Sequence, residues 1–337
     1  MSKFTEFTCW ILILIISVNE GLIEGRTTTK AVNKAIIKTI KVRNAKTIDC
    51  YDIYRQPSLN HPLLCNHTIQ MRPTLNLKGT KSDISGTLEV TQTWHKYGSC
   101  PEGTIPIRRK RKIYNPTILR KHHYTRLSPF KTLVTSKSNN TIDNYNFHEV
   151  YKEMNGDDQT RFSYTGQSGC YNLLCHGFVK TTSNISLGCN FTEVSTFNGD
   201  QKDFTFSIQK DQSSGNWWVQ LQGISVGYYP SALFTELSRS ATKVEWRGEI
   251  VNLKNKGQHT STQMGSGHFP SEGGLKTSSY FNRVQVFDEN NMIKDPENFR
   301  TKSTNPNCYN LKIDDEHYGT NGYGFYYGDL VYNDKCE

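Results

Sequence analysis

The chain has 337 residues, a formal net charge of +9, 12% aromatic residues and 25 glycines. This length suffices for one large domain and a smaller one, and a composition with few long apolar periodic runs favours an all-β fold. Much of the positive charge lies in one short tract, residues 108–112 (RRKRK), instead of being spread over a face with interleaved aromatic residues. That distribution argues against a nucleic-acid-binding protein.

The N-terminus has the pattern of a secretory signal. Lys3 precedes a ten-residue apolar run, residues 9–18, and small residues near Gly25 suggest cleavage there. The run is too short to be a stable bilayer anchor, although an uncleaved anchor is an alternative. We therefore predict a signal peptide over residues 1–25 and an exported mature protein without a membrane segment.

Export decides how the cysteines are interpreted. After Cys9 leaves with the signal, eight remain, and in an oxidising compartment they are disulfide candidates first and metal ligands second. The sequence alone does not fix their pairing; the candidate pairs are Cys50–Cys100, Cys170–Cys175 and Cys308–Cys336, with Cys65 and Cys189 left over. Cys175 is followed by His176, but without a second histidine at ligand spacing a tight-loop disulfide is favoured over zinc. No metal and no cofactor is predicted.

Four sequons fit a glycosylated surface. They begin at Asn66, Asn139, Asn184 and Asn190.

In chain order, the mature protein divides into three parts. Residues 26–109 begin with weak helical periodicity around Ala35 and Ile40 and continue as a proline-rich, irregular segment that Cys50 and Cys100 would close into a small stapled unit. Residues 110–145 are basic and then polar, which indicates an exposed linker where a proenzyme could be cleaved; a plain solvated loop is the alternative. Residues 146–337 contain short strand patterns, at 161–164, 177–181, 204–209 and 217–221.

The richest strand pattern runs from residue 215 to residue 281. It contains GNWWVQL, VGYYPSALF, VEWRGEIVN and HTSTQMGSGHFPSEG. In VEWRGE, strand alternation separates Val244, Trp246 and Gly248 from a face that carries two carboxylates, at 245 and 249, with Arg247 between them. From spacing alone, that face is more often a surface ion-pair ladder than a catalytic site.

Several ordered motifs run through the chain: DIYRQPSLNHPLL (52–64), CPEGTIPIRR (100–109), GCYNLLCHGFV (169–179), GNWWVQL, VGYYP, VEWRGE, TQMGSGHFP and NPNCYN (305–310). Together they resemble the plant neprosin family, the first two its activation segment and the others its catalytic domain. The resemblance implies a secreted plant glutamic peptidase made as a proenzyme, located in the apoplast or cell wall. It also implies a jelly-roll-like sandwich of antiparallel sheets and cleavage at proline.

The chain is shorter than the family pattern. Family members carry several strands before the GDxxTRF motif, which this chain (residues 156–162) reaches almost directly from the linker. Loss of those strands would leave unpaired edges and apolar faces. Either the N-terminal segment fills the gap, or the chain is a truncated family member with a compromised fold.

The family chemistry needs two acids in different protonation states across one cleft. The resemblance implies that one family glutamate corresponds to Glu249. The position of the other is occupied by Tyr145 in this chain. Glu149 lies four residues further on the same strand face, about 13 Å away, so it could substitute only through a bulge or register slip. Arg247, where the family commonly has glycine, favours the ionised form of Glu249 and therefore a general base over a proton donor. Weak or absent proteolysis follows.

Four residues are candidates for the wall of a substrate cleft: Tyr228, Tyr229, Trp246 and Gln263. Aromatic walls suit a proline ring, although burial in the core is the commoner role for such side chains. His268 is more often a hydrogen-bonded turn residue than a catalyst.

Two functions remain open. The first is a monomeric glutamic endopeptidase proenzyme that acts on peptide or protein substrates. The second is a non-catalytic secreted protein whose cleft binds peptide or carbohydrate, which rests on fold-level analogy.

Overall fold

The structure is a computed structural model, and it describes residues 34–43, 46–74, 90–109, 130–136, 173, 176–234, 237–241, 244–250, 264–303, 306–314 and 322–329. For residues 130–136, 245, 249 and 250 we describe the backbone and not the side chains. Within these ranges no helix is long and apolar enough to cross a membrane.

The fold is all-β, as predicted, and every described strand pairing is antiparallel. The strands are β1 (Ile36–Val42), β2 (Lys46–Asp52), β3 (Thr104–Arg108), β4 (Phe130–Ser136), β5 (Val179–Lys180), β6 (Phe206–Lys210), β7 (Trp217–Leu221), β8 (Ile224–Tyr229), β9 (Val244–Ile250), β10 (Ser279–Phe281), β11 (Val286–Phe287), β12 (Ile293–Lys294), β13 (Arg300–Ser303), β14 (Tyr309–Ile313) and β15 (Phe325–Asp329). Short 3-10 turns lie at Ile53–Arg55, Pro57–Asn60, Pro62–Leu64, Thr93–Tyr97, Ser231–Leu233, Pro270–Glu272 and Gly274–Lys276. Residues 34 and 35 are α-helical.

An N-terminal unit forms around the sheet β1-β2-β3. The Cys50–Cys100 disulfide joins β2 to the segment before β3, which confirms the predicted pair. Trp94 is buried in the same apolar cluster as both of these cysteines. The weak helical periodicity around Ala35 and Ile40 is realised only at residues 34 and 35. Because pairing with β2 satisfies the backbone and buries Ile40, residues 36–42 form a strand, and there the helical prediction was wrong.

Two sheets carry the sandwich-like part that positions the candidate site. Sheet β5-β8-β7-β6 holds the GNWWVQL and VGYY motifs, and its predicted strand at 217–221 is confirmed as β7. Sheet β13-β4-β9 holds the VEWRGE motif and packs through Trp246 against the core of sheet β10-β15-β14. Strands β11 and β12 form a separate hairpin.

Strand β4 lies inside the stretch that the sequence analysis assigned to a linker. Its backbone pairs with β13 on one side and with β9 on the other. The sequence FKTLVTS is rich in β-branched residues, and two flanking partners supply the hydrogen bonds that an isolated polar segment lacks.

Candidate functional site

The backbone position of Glu249 is set by strand β9. Residue 249 lies opposite Lys131 of β4, and residue 245 lies opposite Thr135. Strand alternation gives positions 245, 247 and 249 one face and positions 246 and 248 the other. The predicted division of VEWRGE into two faces therefore agrees with the strand that the structure contains.

The face of β9 opposite position 249 is tightly packed. Trp246 is half-buried against the cluster that contains Met264 and Tyr327. A Cβ built on Gly248 would lie 2.6 Å from the Tyr327 ring and 2.8 Å from the Met264 sulfur. Only glycine fits there without displacing these two buried side chains.

We expect Gly248→Ala to lower the free energy of unfolding by about 2–3 kcal/mol, because two buried side chains must shift to admit the methyl group. The measurement is denaturant or thermal unfolding. Gly223→Ala is the matched control: its Cβ would meet nothing within 4 Å at φ +73°, so it reports only the conformational cost of about 1 kcal/mol. Equal losses in the two variants would contradict the packing argument.

A buried carboxyl lies beneath this face. Asp329, at the end of β15, has no exposed surface, and the backbone N–H of Met264 donates to its Oδ1 at 2.9 Å. Burial raises the pKa of Asp329 to about 6, although backbone N–H groups and the nearby His268 act in the opposite direction. Asp329 thus titrates in mildly acidic solution.

His268 is held in a turn, as the sequence analysis favoured. Its Nδ1 lies 2.8 Å from Oε2 of Glu272, and its ring stacks on Phe197 with centroids 4.3 Å apart. Burial alone would raise the pKa of Glu272, but the hydrogen bonds from His268 and from the backbone of Phe269 lower it.

Tyr228 lies beneath the N-terminal segment. The backbone N–H of Gln70 donates to its hydroxyl at 2.8 Å, and the same hydroxyl lies 2.7 Å from Nε2 of His67. The Tyr228 ring packs on Trp218 with centroids 4.6 Å apart, and Leu64 is buried in the apolar cluster that contains both rings. Burial raises the pKa of Tyr228 to about 12, so the hydroxyl keeps its proton and can donate it to a neutral His67.

A second polar contact anchors the same segment. Asp211 is 4% exposed, and it accepts hydrogen bonds from the side chain of Gln70 at 2.7 Å and from the backbone N–H and hydroxyl of Thr74 at 3.0 and 2.9 Å. Burial alone would raise the pKa of Asp211, but these donors and Ser213 outweigh it and hold the pKa well below its ordinary value.

Two buried glutamines join the N-terminal unit to the sandwich. The side chain of Gln56 accepts from the backbone N–H of Lys180 at 2.8 Å and donates to its carbonyl at 3.1 Å. The side chain of Gln92 donates to the carbonyl oxygens of Ser186 and Cys189 and accepts from the backbone N–H of Ser186. Neither glutamine is predictable from the sequence, because the partners are about a hundred residues away and a lone glutamine has no local signature.

Comparison with known families gives two matches. The neprosin model matches residues 127–329, and the neprosin activation peptide model matches residues 39–155. The first match covers more than half of the chain. The chain belongs to the neprosin family.

Together, the two matches indicate a peptidase-type protein that is made as a proenzyme. The described residues that dock on the sandwich, from Gln56 to Thr74 and from Gln92 to Arg108, lie within that match. We refer to residues 39–109 below as the activation segment.

The structure separates several of the predicted site residues. Tyr228 is buried under the activation segment, whereas Tyr229 is half-buried with edge contacts to Phe178 and Phe234. Trp246 lies in another sheet and another core cluster. Glu149, Tyr145 and Gln263 lie outside the described residues, and at Glu249 the description covers the backbone.

The remaining predicted positions fall in two groups. Cys308 is disulfide-bonded, and its predicted partner Cys336 lies outside the described residues, as do Cys170, Cys175 and Asn139. Cys65 carries an exposed thiol and Cys189 a buried one. The sequon residues Asn66 and Asn184 are exposed, and Asn190 is half-buried.

Proposed function

We propose that this neprosin-family protein is a secreted glutamic endopeptidase made as a proenzyme, with proline-directed specificity and with Glu249 as one catalytic acid. Its activity is weak or lost because Tyr145 stands where the family has its second glutamate. We further propose that it is an exported, glycosylated monomer of the apoplast or cell wall, with peptide or protein substrates and without nucleic-acid or membrane partners.

The observation that carries the proposal is the coverage of Tyr228. This aromatic residue belongs to the motif for which a substrate cleft is expected, and His67, Gln70 and Leu64 of the activation segment occupy the space above it. A peptide could reach the Tyr228 ring only after that segment moves. Such coverage is what a latent form of a peptidase requires.

His67 gives this cover a pH dependence. Burial lowers the pKa of His67, so the docked segment favours the neutral imidazole. Its contribution to docking is therefore full above the ordinary histidine pKa and is lost as the pH falls through the lowered value. Protonation would turn Nε2 into a donor and leave the Tyr228 proton without this acceptor, which weakens the cover in acid.

The chemistry assigned to the pair of acids is general acid–base hydrolysis. An ionised Glu249 removes a proton from the attacking water, and a protonated partner donates to the carbonyl oxygen and the leaving nitrogen. Glu149 is the candidate partner if its strand is shifted by four residues relative to the family register. Without that shift the second role is unfilled.

The decisive experiment measures hydrolysis of a proline-containing fluorogenic peptide after acid treatment of the purified protein. We compare wild type with Glu249→Gln and Glu149→Gln, and we expect Glu249→Gln to reduce any activity at least a hundredfold. Glu245→Gln is the matched control, because it lies on the same strand face four residues away and should retain most of the activity.

Each outcome has a definite meaning. Loss of activity in both glutamine variants supports the shifted register with Glu149 as the second acid. Activity that survives Glu249→Gln overturns the proposed chemistry. A folded wild type without activity would be consistent with the covered Tyr228 but would show that the protein is a pseudoenzyme.

The second candidate is a non-catalytic binding protein. Tyr145 at the family glutamate position favours it, because hydrolysis then lacks one of its two acids, and Arg247 favours the ionised form of Glu249, which leaves that residue unable to act as the missing proton donor. Binding of a proline-rich peptide or an oligosaccharide by the acid-treated Glu249→Gln variant, measured by calorimetry, would support this function over hydrolysis.

A further inference from the structure

A buried thiol of the sandwich belongs to the same apolar cluster as the disulfide of the activation segment. Cys189 is 7% exposed and belongs to the same apolar cluster as Cys50, Cys100 and Trp94. The loop that carries Cys189 is fixed to the segment from two sides. The Gln92 amide donates to the Cys189 carbonyl at 3.2 Å, and Arg108 donates to the Gly188 carbonyl at 2.8 Å.

A buried lysine interacts electrostatically with this thiol. Lys180 has no exposed surface, and its Nζ donates to the Thr182 carbonyl at 2.5 Å. Burial lowers the pKa of Lys180 well below its ordinary value, whereas its electrostatic interaction with Cys189 raises it. A buried amine of this kind can accept the proton of a thiol, since the resulting ammonium and thiolate stabilise each other.

We propose that Cys189 exchanges with the Cys50–Cys100 disulfide and thereby ties the activation segment covalently to the sandwich. The thiolate of Cys189 attacks Sγ of Cys50, so that a Cys189–Cys50 bond forms as the Cys50–Cys100 bond breaks. The electron pair of the broken bond leaves on Cys100, which takes up the proton that Cys189 released. One disulfide and one thiol are present before and after the step, so no oxidant or reductant is required.

The choice of sulfur follows from exposure. Cys50 is 0% exposed and Cys100 is 8% exposed, with the polar turn at residues 101–103 beside it. A thiolate leaves more readily where water can solvate it. Cys100 is therefore the leaving group, and Cys50 is the sulfur that becomes bonded to the sandwich.

The consequence is a second, covalent mode of retaining the segment. In the Cys50–Cys100 form only non-covalent contacts hold it after a cut in the basic tract at residues 108–112. In the exchanged form, the segment remains attached through Cys189 after the same cut. Whether a cut chain releases its segment then depends on which disulfide is present, independently of peptidase activity.

The test uses the full chain, purified without reductant and incubated between about pH 5 and pH 8. Samples are quenched in acid, alkylated with N-ethylmaleimide, digested and mapped without reduction. We expect a linked Cys50–Cys189 peptide pair and alkylated Cys100, with a rate that rises up to tenfold per pH unit while the thiol is mostly protonated. A map that contains only Cys50–Cys100 and alkylated Cys189 at every pH would overturn the proposal.

A second readout is retention after limited tryptic cleavage. On a non-reducing denaturing gel, the N-terminal fragment should stay attached in incubated wild type and separate in Cys189→Ala. The matched control is Cys65→Ala, which removes the exposed thiol of the same fragment and should leave attachment unchanged. Retention that disappears in Cys65→Ala, or persists in Cys189→Ala, would assign the bond to another cysteine and contradict the proposal.

The role of Lys180 has its own variant. Lys180→Met keeps the length of the side chain and removes the amine, so at about pH 7 we expect exchange to slow about tenfold and the pH profile to move toward alkaline values. Cooperative thermal unfolding of this variant confirms that it is folded. An unchanged profile in folded Lys180→Met would remove Lys180 from the mechanism.

Discussion

Replacing Gln92 with leucine should lower the free energy of unfolding by about 3–5 kcal/mol. Four hydrogen bonds converge on this fully buried amide. It accepts from Trp94 Nε1 at 2.9 Å and from the Ser186 N–H at 2.7 Å, and it donates to the carbonyls of Ser186 and Cys189. Leucine fills a similar volume but satisfies none of these partners, so each loses its bond without regaining water.

Denaturant unfolding of the full chain measures this loss. Gln212→Leu is the matched control, because Gln212 is exposed and its side chain donates one bond, to the Glu289 carbonyl at 2.6 Å. We expect the control to change stability by less than about 0.5 kcal/mol. A loss below about 1 kcal/mol for Gln92→Leu would show that the amide does not hold the two units together.

Asp329→Asn should remove a pH dependence of the wild-type stability. The folded pKa of Asp329, about 6, exceeds its ordinary value of 3.8, so folding favours the protonated carboxyl. The stabilising contribution is therefore full below about pH 4 and is lost as the pH rises through 6. The shift corresponds to about 3 kcal/mol in total, of which about 2 kcal/mol falls between pH 4 and pH 7.5.

Unfolding free energies measured between about pH 4 and pH 7.5 check this sign. Wild type should lose stability across this window relative to Asp329→Asn, whose amide cannot ionise. Asp288→Asn is a control that should show no slope in this window: the hydrogen bond with Lys294 lowers the pKa of Asp288, so its contribution is full above the ordinary pKa and is lost only in stronger acid. Parallel pH curves for wild type and Asp329→Asn would refute the assignment.

Local patterns were sufficient to predict part of this structure. The strand pattern of aromatic and β-branched residues predicted β7 and the two faces of VEWRGE. The predicted export favoured disulfides, of which Cys50–Cys100 is present. These features depend on residues close in sequence or on a strong chemical constraint. The antiparallel all-β class followed from composition and turn spacing.

Other features depend on partners distant in the chain. Strand β4 is stabilised by β9, more than a hundred residues later, so its polar surroundings looked like those of a linker. The amide of Gln56 meets Lys180 across 124 positions, and Asp211 meets Thr74 across 137. In retrospect, the run DQSSGN at 211–216 shows a turn rich in hydroxyl donors, but it does not reveal which segment that turn receives.

The shared core of the activation segment and the sandwich has a consequence for maturation. Leu64 packs with Val179, Trp218 and Tyr228, so the segment buries apolar surface that the sheet would otherwise present to water. Cutting the chain in the basic tract would produce a nicked, two-chain complex, and separation would then depend on the slow dissociation of a buried interface. A recombinant fragment that begins after the tract would expose that sheet face from synthesis onward and should be recovered mainly as insoluble aggregate.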